Sequence, residues 1–104
     1  LGMSRGLGDV YKRQELEYSK PDILSAMERM VPRIPLDAAR WEGEMFEIAN
    51  TFSDAGVTSK FHEGAADIMS LANKTPIARE TRETVDETRS LNDVLDMYVN
   101  AIKK

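Results

Sequence analysis

At 104 residues, with a formal charge of −4 and no cysteine, the chain has room for one small domain whose core is marginal on its own. The acidic balance argues against a sequence-independent grip on nucleic acid, which depends on Lys and Arg meeting phosphates. Lack of cysteine excludes a disulfide framework and a thiolate metal site. With no apolar run of about 18 residues and no signal-peptide pattern, the expectation is a soluble, cytoplasmic chain with no membrane partner.

The first glycines, Gly6 and Gly8, do not make a phosphate cradle. A dinucleotide fingerprint needs G-x-G-x-x-G between a strand and a helix, and its third glycine position is Tyr11 here. The stretch from Met3 to Gln14 resembles a translated library adapter at the end of a reading frame. Residues 1–14 are therefore set apart as a non-native tail, and 15–104 are read as the folded domain.

From Ser19 onward the pattern is helical. Ser19 can cap a first helix, Pro21 is tolerated in its first turn and Asp22 complements the dipole. Ile23, Leu24, Met27, Met30 and Val31 recur at helical spacing, and the helix stops at Val31 because the next residue is proline. Pro32 to Pro35 reads as a short stiff connector. Asp37 or a neighbour caps a second helix, whose apolar stripe is Trp41, Met45, Ile48 and Phe52, widened by Ala38, Ala49 and Ala55. Gly56 ends it.

Thr58 or Ser59 caps a third helix with Phe61, Ala65, Ile68 and Ala72 on one side and Met69 beside them, and the run from Asn73 to Pro76 breaks it. Residues 77–89 are mostly charged and polar and read as a solvated helix or turn. Ser90 to Asp93 matches an acidic variant of the capping box, opening a last helix with Leu91, Val94, Leu95, Tyr98, Val99 and Ile102 on its apolar face. No strand alternation of useful length occurs. The expected fold is all-α, an array of four to five packed helices.

Chemistry could sit on the polar stripe Arg40, Glu44 and Glu47, since paired carboxylates can move protons or hold a metal. A di-metal bundle needs Glu-x-x-His, however, and position 50 is Asn. An ion pair between Arg40 and Glu44 on a solvated face accounts for the same spacing. His62, the only histidine, reads as a packing or surface residue more readily than as a base. Trp41 reads as core rather than as a stacking platform. Spacing alone assigns no catalytic residue and no metal.

The segment Val31 to Phe52, with Arg40, Trp41, Glu44, Met45, Glu47 and Ile48, followed by Ala55, Gly56 and the run Phe61 to Ile68, resembles the C-terminal domain of NAD-binding phosphogluconate-dehydrogenase-like proteins in the β-hydroxyacid dehydrogenase superfamily. Glu80 to Thr84 and Thr88 to Leu91 also fit. The resemblance implies a fragment of a two-domain NAD(P)-dependent oxidoreductase acting on a hydroxy acid. In such proteins an N-terminal Rossmann domain holds NAD or NADP, and the helical domain closes the substrate cleft and forms a homodimer. It implies no cofactor held by this fragment alone, whose sequence lacks the family's glycine-lysine-asparagine helix motif. Arg40, Glu44, Glu47 and His62 are then the candidate substrate contacts. Where the family tends to carry Lys, this chain has Asp37, and no ligand role passes to that position. The alternative is a stand-alone helical module that binds a partner helix. A helix-turn-helix reading fails because no helix is basic.

Overall fold

The computed structural model describes residues 12–103. Its elements are α1 (12–19), α2 (Pro21–Met30), a 3-10 turn (Val31–Arg33), α3 (Ile34–Asp54), α4 (Lys60–Ala72), a second 3-10 turn (Pro76–Arg79) and α5 (Leu91–Lys103). There is no strand among the described residues, as the sequence predicts. The chain forms two compact units, Leu1–Val31 and Pro32–Lys104.

In the first unit α1 hands over to α2 at Lys20, whose amide donates to the Leu16 carbonyl at 2.8 Å. Ser19 does not cap α2 as expected. It is still within α1, and its hydroxyl donates to Glu15 at 2.7 Å. Pro21 and Asp22 take the first-turn places foreseen for them. Arg13 lies 3.5 Å from both Glu17 and Glu28, tying α1 to α2. Residues 12–14 of the stretch set apart as a tail are thus helical, while the expectation for residues 1–11 lies outside the described residues. Of the predicted α2 stripe, Leu24 is buried, Met27 and Val31 are half-buried, and Ile23 and Met30 are exposed.

The second unit begins differently from the sequence expectation. Pro32 to Pro35 is not a stiff connector: the chain turns once through Val31–Arg33, and α3 starts at Ile34 with Arg33 at its N-cap and no capping side chain. Pro35 is accommodated because a first-turn residue needs no amide hydrogen. Asp37 therefore sits inside the first turn instead of capping it, where its charge complements the helix dipole.

The end of α3 follows the expected chemistry. Gly56 has φ of 78°, its amide reaches the Ser53 carbonyl at 3.0 Å, and the Val57 amide reaches Phe52 at 2.9 Å. These two bonds form a Schellman turn, which satisfies the last carbonyls and needs a residue without Cβ strain at positive φ. Three residues later α4 starts. Ser59 is its N-cap without a side-chain bond, and the Thr58 hydroxyl takes the Lys60 amide at 3.3 Å. α5 opens on the capping box: the Ser90 hydroxyl accepts from the Asp93 amide at 3.1 Å, and the Asp93 carboxylate from the Ser90 amide at 3.0 Å.

Within this unit α3 and α4 make the most extensive contact, followed by α3 with the Pro76–Arg79 turn and α4 with α5. The buried residues of both helices are mostly small: Ala38 and Ala49, about 20° apart on α3, and Ala66 and Ala72, about 120° apart on two faces of α4. Ile77, Leu91 and Val94 complete the core from the other elements, and the buried Thr75 hydroxyl is satisfied by the Ala72 carbonyl at 2.7 Å. The buried line of α3 is rotated by roughly 60–80° from Trp41, at 100° per residue. Trp41 and Met45 are accordingly half-buried, and Ile48 and Phe52 are exposed. The sequence stripe marks the shoulder of the core, and its alanines mark the centre.

Ala66→Leu should then destabilise the domain by about 1–3 kcal/mol, the usual cost of forcing methylenes into a filled core. The readout is a fall in melting temperature of at least about 4 °C. An unchanged melting temperature would mean that α3 and α4 are not closely apposed at Ala66.

Candidate functional site

The second unit carries its densest polar chemistry where the first turns of α3 meet the loop 80–90. Asp37 holds two arginines. Its Oδ2 accepts from Arg82 Nη2 at 2.7 Å, and its Oδ1 lies 3.6 Å from Arg40 Nη2. Arg40 also approaches Glu44, with 3.9 Å between Nε and Oε1, the i,i+4 pair expected from spacing. The two arginine side chains are 63% and 61% exposed, whereas Asp37 is 21% exposed. Asp37 is thus a covered carboxylate presenting two guanidinium groups to solvent.

The loop that delivers Arg82 is held by its own hydrogen bonds. Both terminal nitrogens of Arg89 donate to the two oxygens of Glu80, one at 2.8 Å, the fork geometry in which Arg binds carboxylates best. Glu80 also accepts from the Asp86 amide at 3.1 Å. Asp86 in turn accepts from the Thr88 hydroxyl at 2.6 Å and the Thr88 amide at 2.9 Å. Thr81 and Thr84 bond to one another, and Glu87 reaches Arg33, ahead of α3, at 3.3 Å. The loop is a closed polar network rather than the solvated helix that was one of its two sequence readings.

These bonds set the titration of the loop. The Arg89 guanidinium, followed by the Asp86 amide, holds the Glu80 carboxyl below its ordinary value. The Thr88 hydroxyl and amide do the same for Asp86. Burial raises the Tyr98 phenol.

The four sequence candidates do not converge on one point. Arg40 and Glu44 meet. Glu47 is exposed, and among the described residues no ion pair joins it to Arg40. His62 stacks on Phe52 with ring centroids 5.0 Å apart, and Phe61 meets it edge-on at 5.2 Å. Phe52 is twelve residues beyond Arg40 along α3, or roughly 18 Å at 1.5 Å per residue. His62 therefore belongs to an aromatic cluster at the far end of the helix pair. Among the described residues no three His, Asp or Glu side chains are grouped to hold a metal ion, and no helix is long and apolar enough to cross a membrane.

Arg82, Glu80 and Arg89 are the residues that spacing does not single out. Arg82 and Asp37 are 45 positions apart, a separation that carries no periodic signal.

The model of one family, a domain of unknown function designated DUF1932, matches residues 3–71, which include α1 to α3 and nearly all of α4. The chain belongs to the DUF1932 family. DUF1932 is the helical C-terminal domain found in NAD-binding 6-phosphogluconate dehydrogenase-like proteins. The match also takes in residues 3–14, the stretch that the sequence reading sets apart. No curated protein and no solved structure matches the chain. The DUF1932 match ends at α4, so loop 80–90, which supplies Arg82, lies beyond the matched span.

Acid should loosen this loop first. A carboxyl held below its ordinary value stabilises the fold fully above the unfolded-state value, and that stabilisation is lost as pH falls through the folded value. The windows begin at the ordinary carboxyl values, about 4.5 for Glu80 and 3.8 for Asp86, and extend downward. Amide exchange of residues 80–90 should accelerate on acidification below that point. In Glu80→Gln it should be fast at neutral pH as well and change less with acid.

Proposed function

We propose that this chain is the cleft-closing and dimerising helical domain of an NAD(P)-dependent oxidoreductase acting on a hydroxy acid. The observation that carries the reading is membership of a family of helical C-terminal domains of NAD-binding dehydrogenase-like proteins. Its partners in this reading are a dinucleotide-binding domain of the same protein and a second copy of the chain.

The described residues do not fit the cofactor themselves. They form helices, 3-10 turns and a polar loop, with no strand running into a glycine turn at a helix mouth, the arrangement that brings amides to a pyrophosphate. NAD or NADP would be held by the dinucleotide domain and would supply hydride chemistry there. The contribution of this chain is a wall with charge on it. The Arg40 and Arg82 pair is the part suited to an anionic substrate group, because guanidinium groups bind carboxylates and phosphates through paired N–H donors. Asp37 orients both arginines and Glu44 flanks Arg40. Glu47 and His62 have weaker claims, Glu47 for want of a link to Arg40 and His62 by its distance along α3.

The exposed Ile48, Phe52, Phe61 and Ile68 favour the second reading, a helical module that binds a partner helix, only in so far as they require a partner. The family match tips the choice to the dehydrogenase domain.

A protein joining this chain to a dinucleotide domain of its family decides between them. Hydride transfer with a hydroxy acid is the expected outcome, with Arg40→Ala and Arg82→Ala each raising KM more than tenfold, as the loss of a charge-assisted contact of about 1.5–3 kcal/mol requires. Loss of a surface ion pair alone would cost under about 1 kcal/mol and leave kinetics unchanged. Unchanged kinetics in both variants would remove the arginine pair from the substrate site. Absence of any hydride transfer in the joined protein would overturn the dehydrogenase reading.

A further inference from the structure

Loop 80–90 has a base and a tip of different character. Ile77 before it and Leu91 after it are buried, and the Glu80 amide donates to the Ile77 carbonyl at 2.9 Å. Glu80 and Arg89 therefore face each other just where the chain leaves the core and where it returns. Their side chains are 22% and 16% exposed, the only ion pair among the described residues with both partners less than a quarter exposed. This pair is the base of the loop.

The tip, residues 81–88, has Val85 as its one hydrocarbon side chain, and that residue is only half-buried. It is folded on itself, with the Val85 amide donating to the Thr81 carbonyl at 2.8 Å and the Asp86 amide to Glu80 at 3.1 Å. Among the described residues two ion pairs lead outward from it, Arg82 to Asp37 and Glu87 to Arg33, and each has at least one well-exposed partner. Exposed pairs of this kind are each worth little, and fixing a long side chain in one rotamer costs entropy. They cannot by themselves place a segment that buries no side chain fully.

The base can. A guanidinium donating through both terminal nitrogens to both carboxylate oxygens fixes orientation as well as distance, so the clasp sets the direction in which the tip leaves the core. Closing the loop there leaves only the short span 81–88 to order, and its own turns restrict that span further. Arg82 then has only its side chain to settle on Asp37.

We infer that Glu80 and Arg89 are positioning residues, whose clasp acts through the closed loop to hold Arg82 on Asp37 and so keeps the guanidinium groups of Arg40 and Arg82 together as one anion-facing pair. Both act at a remove, since carboxylate and guanidinium are committed to each other. The inference rests on the reading of Arg40 and Arg82 as the anion-facing part of the domain, and names what assembles that pair.

The clasp is tested first on the 104-residue chain with no ligand, by nitrogen relaxation of the arginine Nε–H groups, assigned through Arg82→Lys and Arg40→Lys. In the wild type the Arg82 group should be ordered, and in Glu80→Gln and in Arg89→Lys, which both remove the fork, its order parameter should fall below about 0.6, the range of flexible groups. Ala66→Leu controls for general loosening: it weakens the helix core without touching the loop and should leave Arg82 ordered. An Arg82 group that is already mobile in the wild type, that stays ordered in both fork variants, or that loosens equally in Ala66→Leu would overturn the clasp. The joined protein supplies the second readout. Glu80→Gln should raise KM at least about fivefold with kcat unchanged, and adding it to Arg82→Ala should raise KM no further, the non-additivity expected when one residue works through another. Additive effects would overturn the positioning role. An unchanged KM in Arg82→Ala removes the pair from the substrate site but leaves the relaxation result on the clasp intact, so the two readings fail separately.

Discussion

Everything in the second unit follows from the close apposition of α3 and α4 through alanine. Interhelical distance is set by the side chains at the contact, and small ones bring axes together. Ala38, Ala49, Ala66 and Ala72 are at most 1% exposed. The bulky residues of the same helices cannot enter so narrow a seam and are carried to its margins. Half-burial of Trp41 follows from its place on the shoulder of the buried line of α3.

That constraint also shapes the polar end. Because α3 begins at Ile34, a turn earlier than the Asp37 cap would have it, Asp37 lies within the helix with its carboxylate turned to the loop that follows Pro76–Arg79. Arg82 and Glu87 then tie loop 80–90 to the start of α3 through Asp37 and Arg33. The Glu80 and Arg89 fork closes the loop on itself. Surface ion pairs contribute little singly. Here several act on a segment with few apolar residues, so they fix its path where burial cannot.

Much of the architecture was legible in the residues. The all-helical class, the glycine end of α3 and the capping box of α5 each depend on contacts within a few positions, and local sequence states such contacts directly. Three expectations failed for one reason. Ser19, Asp37 and the Pro32 to Pro35 connector were read from residue preferences at helix ends, but prolines at the first turn let each helix start without a capping side chain. The core was misplaced by 60–80° because Trp41, Met45, Ile48 and Phe52 outweigh alanine in any hydrophobic pattern, while packing favours the residue that permits approach. Of the candidate site, the Arg40 and Glu44 pair was visible through its i,i+4 spacing. Arg82 was not, since only the folded chain brings position 82 to position 37.

An alanine seam has a thermal consequence as well. Heat-capacity change on unfolding tracks the apolar area newly exposed to water, about 12–15 cal/mol/K per residue in ordinary domains. A chain that buries methyl groups and leaves Phe61, Ile68 and Ile102 more than half exposed has less area left to expose. Its stability curve is correspondingly flat, changing little between cold and warm. Any surface that later covers those side chains steepens the curve, so partner binding would register in calorimetry as added curvature before it registered as a large gain in stability.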